Sequence, residues 1–289
     1  MPLSARKRLG QHFLEPVWVN KVLGAIEPAT TDTFLEIGPG RGALTLPLAV
    51  ACARVIAVEV DRDLAAELRA EAPRNVEVVD GDFLTVDVAA LVTPLWRPAP
   101  ASPAAPALSP WAPDVLRVAG NLPYNASAPI LSKLIRLYRD GMPLQDATLM
   151  LQREVADRVV AHTRTSAYGP LAIMMQLYAY AARVLTLPPG AFRPAPKVRS
   201  AVVRLSFHQP TVPLPDPDVF EALVRSLFSQ RRKTVQNALR PFASERGLSA
   251  TALLARARLE GRRRPEELDL AELAELAEVL VSARREAVL

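Results

Sequence analysis

The chain has 289 residues, of which 50% are hydrophobic and 22% are charged, and its formal net charge is +5. This composition is ordinary for a globular protein, and the length suits about two domains. No apolar run reaches the roughly 18 residues of a membrane span, and the basic N-terminus lacks the apolar segment of a secretory signal. We therefore expect a cytoplasmic protein with no membrane contact.

Cysteine and histidine are scarce. Cys52 is the sole cysteine, which excludes an internal disulfide and agrees with a reducing compartment. The histidines, His12, His162 and His208, are scattered along the chain. Because metal sites need several ligands at characteristic spacings, the sequence predicts no bound metal.

Short β-type runs alternate with helical runs over the first two-thirds of the chain. Leu64 and Leu68, for example, share one helical face. Alternating strands and helices, with strands that are apolar along their length, predict an α/β fold: a mostly parallel, Rossmann-like sheet covered by helices on both faces. The predicted strands are 33–38, 54–60, 75–82, 115–122, 147–152, 182–187 and 200–207.

A proline-rich segment, 93–113, interrupts this alternation between the third and fourth predicted strands. It holds seven prolines in 21 residues. Such a segment forms neither a helix nor a central strand, so we expect an extended surface loop inserted into the domain. No function is predicted for it.

A second group of prolines predicts the domain boundary. We divide the chain into an α/β domain over 1–208, a linker over 209–217 and a small helical domain over 218–289. Between Arg225 and Arg264 there are eleven lysines and arginines against two acids. This bias is typical of a surface that meets a phosphate backbone, although a solvated helix face explains the charge equally well.

The first chemical motif is "FLEIGPGRGALT" (34–45), in which Glu36 ends a strand and Gly38, Gly40 and Gly42 follow. Glycines let the backbone turn tightly and approach a ligand, and the next helix offers free N–H groups. The spacing differs from the dinucleotide fingerprint G-x-G-x-x-G and matches the loop with which class I methyltransferases bind S-adenosyl-L-methionine. Ordinary tight turns also contain such glycines.

Two acids follow the next two predicted strands. Glu59 ends the second strand, where a carboxylate accepts hydrogen bonds from ribose hydroxyls, and Asp82 follows the third, where it suits the adenine amino group. Each acid alone is better explained as a helix cap, and Asp61 and Asp80 are nearby rivals. Ligands bind at the carboxyl ends of parallel strands. The glycine loop, Glu59 and Asp82 follow three successive predicted strands, and together they favour a nucleoside site.

The second motif, "GNLPYNASAP" (120–129), ends the fourth predicted strand beside the same cleft. The side-chain oxygen of Asn121 and a backbone carbonyl near Leu122 or Pro123 are acceptors for the hydrogens of an exocyclic amine. Tyr124 offers a ring on which a flipped-out base stacks. The alternative is a tight turn in which the asparagine caps a helix and the tyrosine packs in the core.

Several further stretches occur in a characteristic order. Together they resemble the KsgA (RsmA) family of 16S ribosomal RNA adenine dimethyltransferases over nearly the whole chain. The proline-rich segment and the last helices are not covered. The stretches are "KRLGQHFL" (7–14), "LEIGPGRGALT", "GNLPYNASAPIL", "LQREVADRVVA" (151–161), "YGPLAIMMQ" (168–176), "FRPAPKVRSAVVRL" (192–205) and "LFSQRRKTVQNALR" (227–240).

The resemblance implies a class I methyltransferase fold, S-adenosyl-L-methionine as cofactor, and dimethylation of N6 in two adjacent adenosines near the 3′ end of 16S rRNA in immature 30S subunits. Asn121 to Tyr124 would hold the target base, and Phe192 would pack against it from another side. The residues that would line the cofactor site are His12, Leu14, Gly38, Gly40, Glu59, Asp82 and Asn121.

The chain departs from the family pattern at a few positions. His12 stands where the family usually has asparagine, Ala126 where isoleucine is common, and Arg199 where aspartate is frequent. None of these changes removes a group that the chemistry needs.

A basic segment suits contacts with RNA phosphates. Arg231, Arg232, Lys233 and Arg240 are expected on one helical segment. We expect the protein to act as a monomer.

Three other functions share parts of this pattern. An Erm-type methyltransferase of 23S rRNA has the same glycine loop and N-x-P-Y turn, but "FSQRRKTVQNALR" is typical of the KsgA type. A non-catalytic assembly factor could keep the fold, although Glu59, Asp82 and "NLPY" are intact. A DNA adenine methyltransferase uses the same turn, but no separate base-reading domain is evident.

Overall fold

The computed structural model describes residues 12–92 and 115–286, so the proline-rich segment lies outside the described residues. Packing divides the chain into two compact units. The first, which we call the sheet unit, comprises Met1–Ala156 and Tyr180–Phe207, and the second, the helical unit, comprises Asp157–Ala179 and His208–Leu289.

In residues 12–92 and 115–286, nine strands form two sheets, and they include every strand predicted from the sequence, with ends shifted by a few residues. The strands are β1 Phe13–Leu14, β2 Thr33–Ile37, β3 Arg54–Glu59, β4 Val76–Asp80, β5 Leu116–Asn121, β6 Leu144–Gln152, β7 Ala179–Leu187, β8 Phe192–Arg193 and β9 Ser200–Phe207.

Eleven α-helices are formed by the described residues, and single 3-10 turns lie at Pro189–Ala191 and Pro265–Glu267. The helices are α1 Pro16–Ile26, α2 Thr45–Ala51, α3 Arg62–Glu71, α4 Val88–Val92, α5 Ser127–Arg139, α6 Arg153–Val159, α7 Pro170–Tyr178, α8 Pro217–Ser229, α9 Val235–Ser244, α10 Ala250–Arg256 and α11 Leu270–Glu286.

The main sheet has seven strands in the order β4-β3-β2-β5-β6-β9-β7. The first five strands in this order, β4, β3, β2, β5 and β6, pair in parallel, and β9 is antiparallel to β6. The central strands β2, β3 and β5 are buried along almost their whole length, as expected for parallel strands covered on both faces. The carboxyl ends of these three strands therefore meet at one edge.

A separate two-stranded sheet was not predicted from the sequence. In it β1 pairs antiparallel with β8, so that Phe13 faces Arg193 and Leu14 faces Phe192. Strands of two residues have no periodicity to read, and their pairing joins segments about 180 positions apart in the chain. This sheet ties the N-terminal segment to the body of the unit.

The sequence-based division placed residues 157–179 in the α/β domain, whereas by packing they belong to the helical unit. The physical reason is that α7 packs on α8 and α11. Tyr168 is fully buried there, with its ring 5.9 Å edge-on from that of Phe228. Contacts across a long stretch of sequence decided this grouping, and no local pattern signals it.

The predicted helix that carries the basic segment begins later than its charge pattern indicates. Arg231, Arg232 and Lys233 lie in the turn after α8, and only Arg240 lies on a helix, α9. The reason is Thr234, which has an extended backbone and whose hydroxyl accepts a hydrogen bond from the Asn237 N–H at 3.4 Å. A threonine in this position caps a helix and so starts it at the next residue.

Two kinds of feature are absent from the part of the chain that the structure describes. No helix there is long and apolar enough to span a membrane. In the same residues, no three His, Cys, Asp or Glu side chains are grouped closely enough to hold a metal ion.

Candidate active site

A cleft lies in the sheet unit at the carboxyl ends of β2, β3 and β5. Four segments line it: the N-terminal stretch before α1, the glycine loop after β2, the end of β3 and the turn after β5. Residues singled out from the sequence make up most of its wall. They are His12, Leu14, Gly38, Gly40, Glu59, Asn121, Leu122, Pro123 and Tyr124.

The glycine loop curves around one side of the cleft. Gly38 and Gly40 have φ angles of 70° and 57°, a region that side chains other than glycine rarely adopt. A Cβ added to Gly40 would also lie only 3.1 Å from the Phe13 ring. The loop therefore needs glycine for both its shape and its close packing, and it presents backbone rather than side chains to the cleft.

Glu59 is held rigidly at the end of β3. Its Oε2 accepts a hydrogen bond from the Gly40 N–H at 2.9 Å, and its Oε1 accepts one from the Asp61 N–H at 2.9 Å. Burial raises the pKa of the Glu59 carboxyl, and these N–H groups oppose that rise by stabilising the anion. These bonds fix the carboxyl group at the wall of the cleft.

Glu36 is a functional candidate that the site prediction missed. It is only 1% exposed and lines the same cleft, and within residues 12–92 and 115–286 no donor lies within hydrogen-bonding distance of its Oε2. Loss of water around the carboxyl, together with the nearby charge of Glu59, raises the pKa of Glu36 to about 8. The sequence feature that could have identified Glu36 is its place as the first residue of the E-x-G-x-G-x-G motif.

We expect Glu36→Gln to stabilise the ligand-free protein increasingly as the pH rises. The raised pKa means that the folded state binds the Glu36 proton more tightly than the unfolded state between about pH 4.5 and 8. Glu36 therefore lowers the stability of the wild type by about 1.4 kcal/mol per pH unit over this window, and the glutamine variant lacks this contribution. Urea unfolding of both proteins at pH 5 and pH 8 measures the difference, and parallel pH profiles would contradict the assignment.

Asn121 is oriented by a bond to the N-terminal segment. Its Nδ2 donates to the backbone carbonyl of His12 at 2.6 Å. An amide group that uses its nitrogen on one side presents its oxygen on the other. Asn121 thus ends β5 with its side chain fixed at the cleft wall.

The two carbonyls that follow Asn121 differ in their availability. The Pro123 carbonyl accepts hydrogen bonds from the Ala126 N–H and from the Ser127 hydroxyl, both at 3.0 Å. These bonds close the turn into α5. The sequence did not distinguish the carbonyls of Leu122 and Pro123 as acceptors for an exocyclic amine. Because the Pro123 carbonyl already accepts two hydrogen bonds, the Leu122 carbonyl is the better candidate.

Tyr124 is held at two points. Its hydroxyl is 2.8 Å from the Ser200 hydroxyl, and its ring stacks on His12 with centroids 5.1 Å apart and planes inclined by 29°. His12 is itself bonded through Nδ1 to the Pro194 carbonyl at 2.6 Å. Three segments distant in sequence therefore meet at the ring predicted to stack on a base.

Two predicted residues are not among those lining the cleft. Asp82 is exposed in the turn after β4, where its Oδ1 accepts a hydrogen bond from the Leu84 N–H at 2.8 Å and so stabilises the turn that precedes α4. Phe192 is 1% exposed and belongs to the hydrophobic core, because β8 pairs with β1 and turns the ring inward beside Leu14.

The basic residues predicted to contact RNA lie in the helical unit, and one of them is already engaged. Arg231 forms an ion pair with Glu266 at 2.8 Å and donates to the Ser166 carbonyl at 3.0 Å. Arg232, Lys233 and Arg240 are exposed.

The sequence of most of the chain matches a known family. Residues 3–276 match the family described as "Ribosomal RNA adenine dimethylase". The chain belongs to this family. Among curated members of the dimethylase family, the ribosomal RNA small subunit methyltransferase A of Methylibium petroleiphilum is 39% identical over 282 residues, which cover 97% of this chain and 98% of that protein. The enzyme of that name from Aromatoleum aromaticum is 40% identical over 258 residues, 86% of each chain.

Solved structures share the fold of this chain. A dimethyladenosine transferase from Plasmodium falciparum superposes with a TM-score of 0.71 over 96% of this chain and 98% of its own, at 23% identity. The 23S rRNA methyltransferase ErmE gives a TM-score of 0.61 at 25% identity, covering 93% and 99% of the two chains. The predicted class I methyltransferase fold is confirmed. The two ribosomal RNA small subunit methyltransferases A share 39–40% identity with this chain, whereas ErmE shares 25%.

Proposed function

We propose that this protein transfers methyl groups from S-adenosyl-L-methionine to N6 of two adjacent adenosines near the 3′ end of 16S rRNA, on immature 30S subunits. The observation that carries the proposal is the position of Asn121, fixed by His12 at the wall of a cleft that also holds two buried carboxyl groups. The names of the relatives support the small subunit over 23S rRNA.

The residues of the cleft fit S-adenosyl-L-methionine. The cofactor carries a sulfonium and an ammonium group, and the cleft offers two buried acids, Glu36 and Glu59, one with an oxygen that lacks a donor among the described residues. Glu59 would hold the ribose hydroxyls with its remaining lone pairs. The glycine loop, with Gly38 and Gly40 in the wall of the cleft, would lie against the cofactor. Asp82, in the adjacent turn, remains a candidate for the adenine amino group.

When bound, the cofactor would supply the methyl group of its sulfonium to the adenine N6, and its sulfur would leave as a neutral thioether. The lone pair of N6 is delocalised into the ring, which makes the amine a poor nucleophile. In the first transfer, Asn121 Oδ1 and the Leu122 carbonyl would accept hydrogen bonds from the two N6 hydrogens and aim the lone pair at the methyl group; in the second transfer, one of them would accept from the single hydrogen that remains. Tyr124 would stack on the flipped-out base. After transfer the more acidic N6 gives its proton to water, so no strong base is needed.

Arg232, Lys233 and Arg240 would bind phosphates of the rRNA. Arg231, through its bonds to Glu266 and Ser166, would hold the turn that contains Arg232 and Lys233. We expect Arg232→Ala to raise the KM for RNA several-fold and to reduce the salt dependence of binding by about one counterion, with kcat unchanged. RNA binding measured at several salt concentrations checks this.

The matched control for that variant is Arg256→Ala. Arg256 is a cation of the same unit but is paired with Glu286 at 2.8 Å, so its loss should change RNA binding little. Equal effects of the two variants would mean that Arg232 acts only through net charge.

The deciding experiment is methyl transfer from labelled S-adenosyl-L-methionine to immature 30S subunits, naked 16S RNA and 23S RNA, with nucleoside analysis of the products. We expect N6,N6-dimethyladenosine mainly in the small-subunit particles. Label confined to 23S RNA would instead identify an Erm-type enzyme. No transfer to any RNA, with the cofactor still bound, would identify a non-catalytic assembly factor.

A further inference from the structure

The hydroxyl contact of Tyr124 joins the turn after β5 to a residue with no role in the proposed chemistry. Ser200 is the first residue of β9 and is 1% exposed. Its Oγ lies 2.8 Å from the Tyr124 hydroxyl, although the two residues are 76 positions apart. The aromatic ring is thus anchored at its far end by a buried side chain.

The anchor is rigid because of where it sits in the sheet. β9 pairs with β6, with Ser200 opposite Gln152, and β6 pairs with β5, with Met150 opposite Asn121. The turn that starts at Asn121 therefore crosses the end of β6 to reach Ser200. A ladder of backbone hydrogen bonds holds the asparagine and the serine in fixed relation.

The opposite restraint on the ring comes from His12. The imidazole stacks on one face of Tyr124, and its Nδ1 bond to the Pro194 carbonyl fixes it in turn. With one face covered and the hydroxyl tethered, the ring has little freedom to rotate out of its plane. Burial raises the pKa of Tyr124, so its hydroxyl stays protonated at neutral pH and the hydrogen bond persists.

We propose that Ser200 is a positioning residue for methyl transfer, which holds the Tyr124 ring in the orientation that stacks the target adenine against Asn121. The inference rests on the proposed function, because it assigns the base to that ring. Ser200 acts through Tyr124 and touches neither cofactor nor substrate. Without the tether the base remains bound but samples orientations in which N6 is not aligned with the methyl group.

The test compares Ser200→Ala, Tyr124→Phe and the double variant, with single-turnover methyl transfer on 30S particles that the wild type methylates. We expect Ser200→Ala to lower the transfer rate about tenfold, as the loss of a hydrogen bond and of alignment implies, with the cofactor Kd and the KM for RNA within about twofold. Because both single changes break the same bond, the double variant should be no slower than Tyr124→Phe alone.

The matched control is Ser206→Ala, a serine on the same strand that is exposed to solvent, and its rate should equal that of the wild type. If Ser200→Ala slows the Tyr124→Phe protein as much as it slows the wild type, the serine acts on the fold and the proposal is overturned. An unchanged rate in Ser200→Ala overturns it equally. Failure of the wild type to methylate any RNA would instead overturn the proposed function.

Discussion

Asn121→Ala is expected to lower the rate of methyl transfer by a factor of about 10² to 10³ while leaving the Kd for S-adenosyl-L-methionine within about threefold. The substitution removes an acceptor that acts on N6 during the transfer, whereas the acids that would hold the cofactor, Glu36 and Glu59, are untouched. Single-turnover transfer and calorimetric titration of the cofactor measure the two quantities separately.

The nearby Asn125 provides the control for this variant. It lies in the same turn, is exposed, and does not line the cleft, so Asn125→Ala should keep nearly full activity. Asn121 also bonds the His12 carbonyl, so thermal unfolding of both variants checks that the loss of rate is not a loss of fold. An Asn121→Ala enzyme with wild-type turnover would refute the role assigned to the turn after β5.

Arg117→Met is expected to lower the free energy of unfolding by about 3–5 kcal/mol, the usual cost of removing one member of a buried ionic cluster. Arg117 pairs with Asp32 at 2.6 Å and with Asp146 at 2.7 Å, and the three side chains are 8%, 15% and 10% exposed. It also donates to the carbonyls of Ile26 and Glu27 at the end of α1. Its loss leaves two carboxylates buried without their cation. Urea unfolding at neutral pH measures the change.

Two further variants distinguish the buried cluster from an ordinary ion pair. Arg54 pairs with Glu77 at 2.6 Å on the surface of the same sheet, where both side chains are about half-exposed. Arg54→Met should therefore cost about 1 kcal/mol or less. Combining Arg117→Met with Asp32→Asn and Asp146→Asn removes the uncompensated charges and should restore much of the lost stability. A cost for Arg117→Met no larger than that for Arg54→Met would contradict the cluster's role.

This cluster bears on the active site because of its position in the fold. Arg117 lies near the start of β5, and Asn121 ends the same strand. The arginine also holds the end of α1, the helix that follows the His12 segment in the chain. Cations at the end of a helix satisfy its last carbonyls. The cluster thus fixes both the strand and the helix that bring Asn121 and His12 together.

The sequence by itself determined the central sheet and the core of the site. The strands around Glu36, Glu59 and Asn121 are nearly continuous apolar runs, and parallel strands place their carboxyl ends at one edge whatever the rest of the chain does. For the same reason the glycine loop and "NLPY" could be placed in one cleft from their positions after strands. The reaction was predicted from the resemblance to a known family, and the match to the ribosomal RNA adenine dimethylases confirms that family.

Only the tertiary structure decided which groups are already engaged. Hydrogen bonds between residues far apart in the chain leave no local pattern, so the partners of Tyr124 and Arg231 could not be predicted. The same holds for the burial of Phe192, which depends on the pairing of two-residue strands. Periodicity and motif spacing report what each segment prefers, whereas desolvation and long-range pairing determine which polar groups remain available to a ligand.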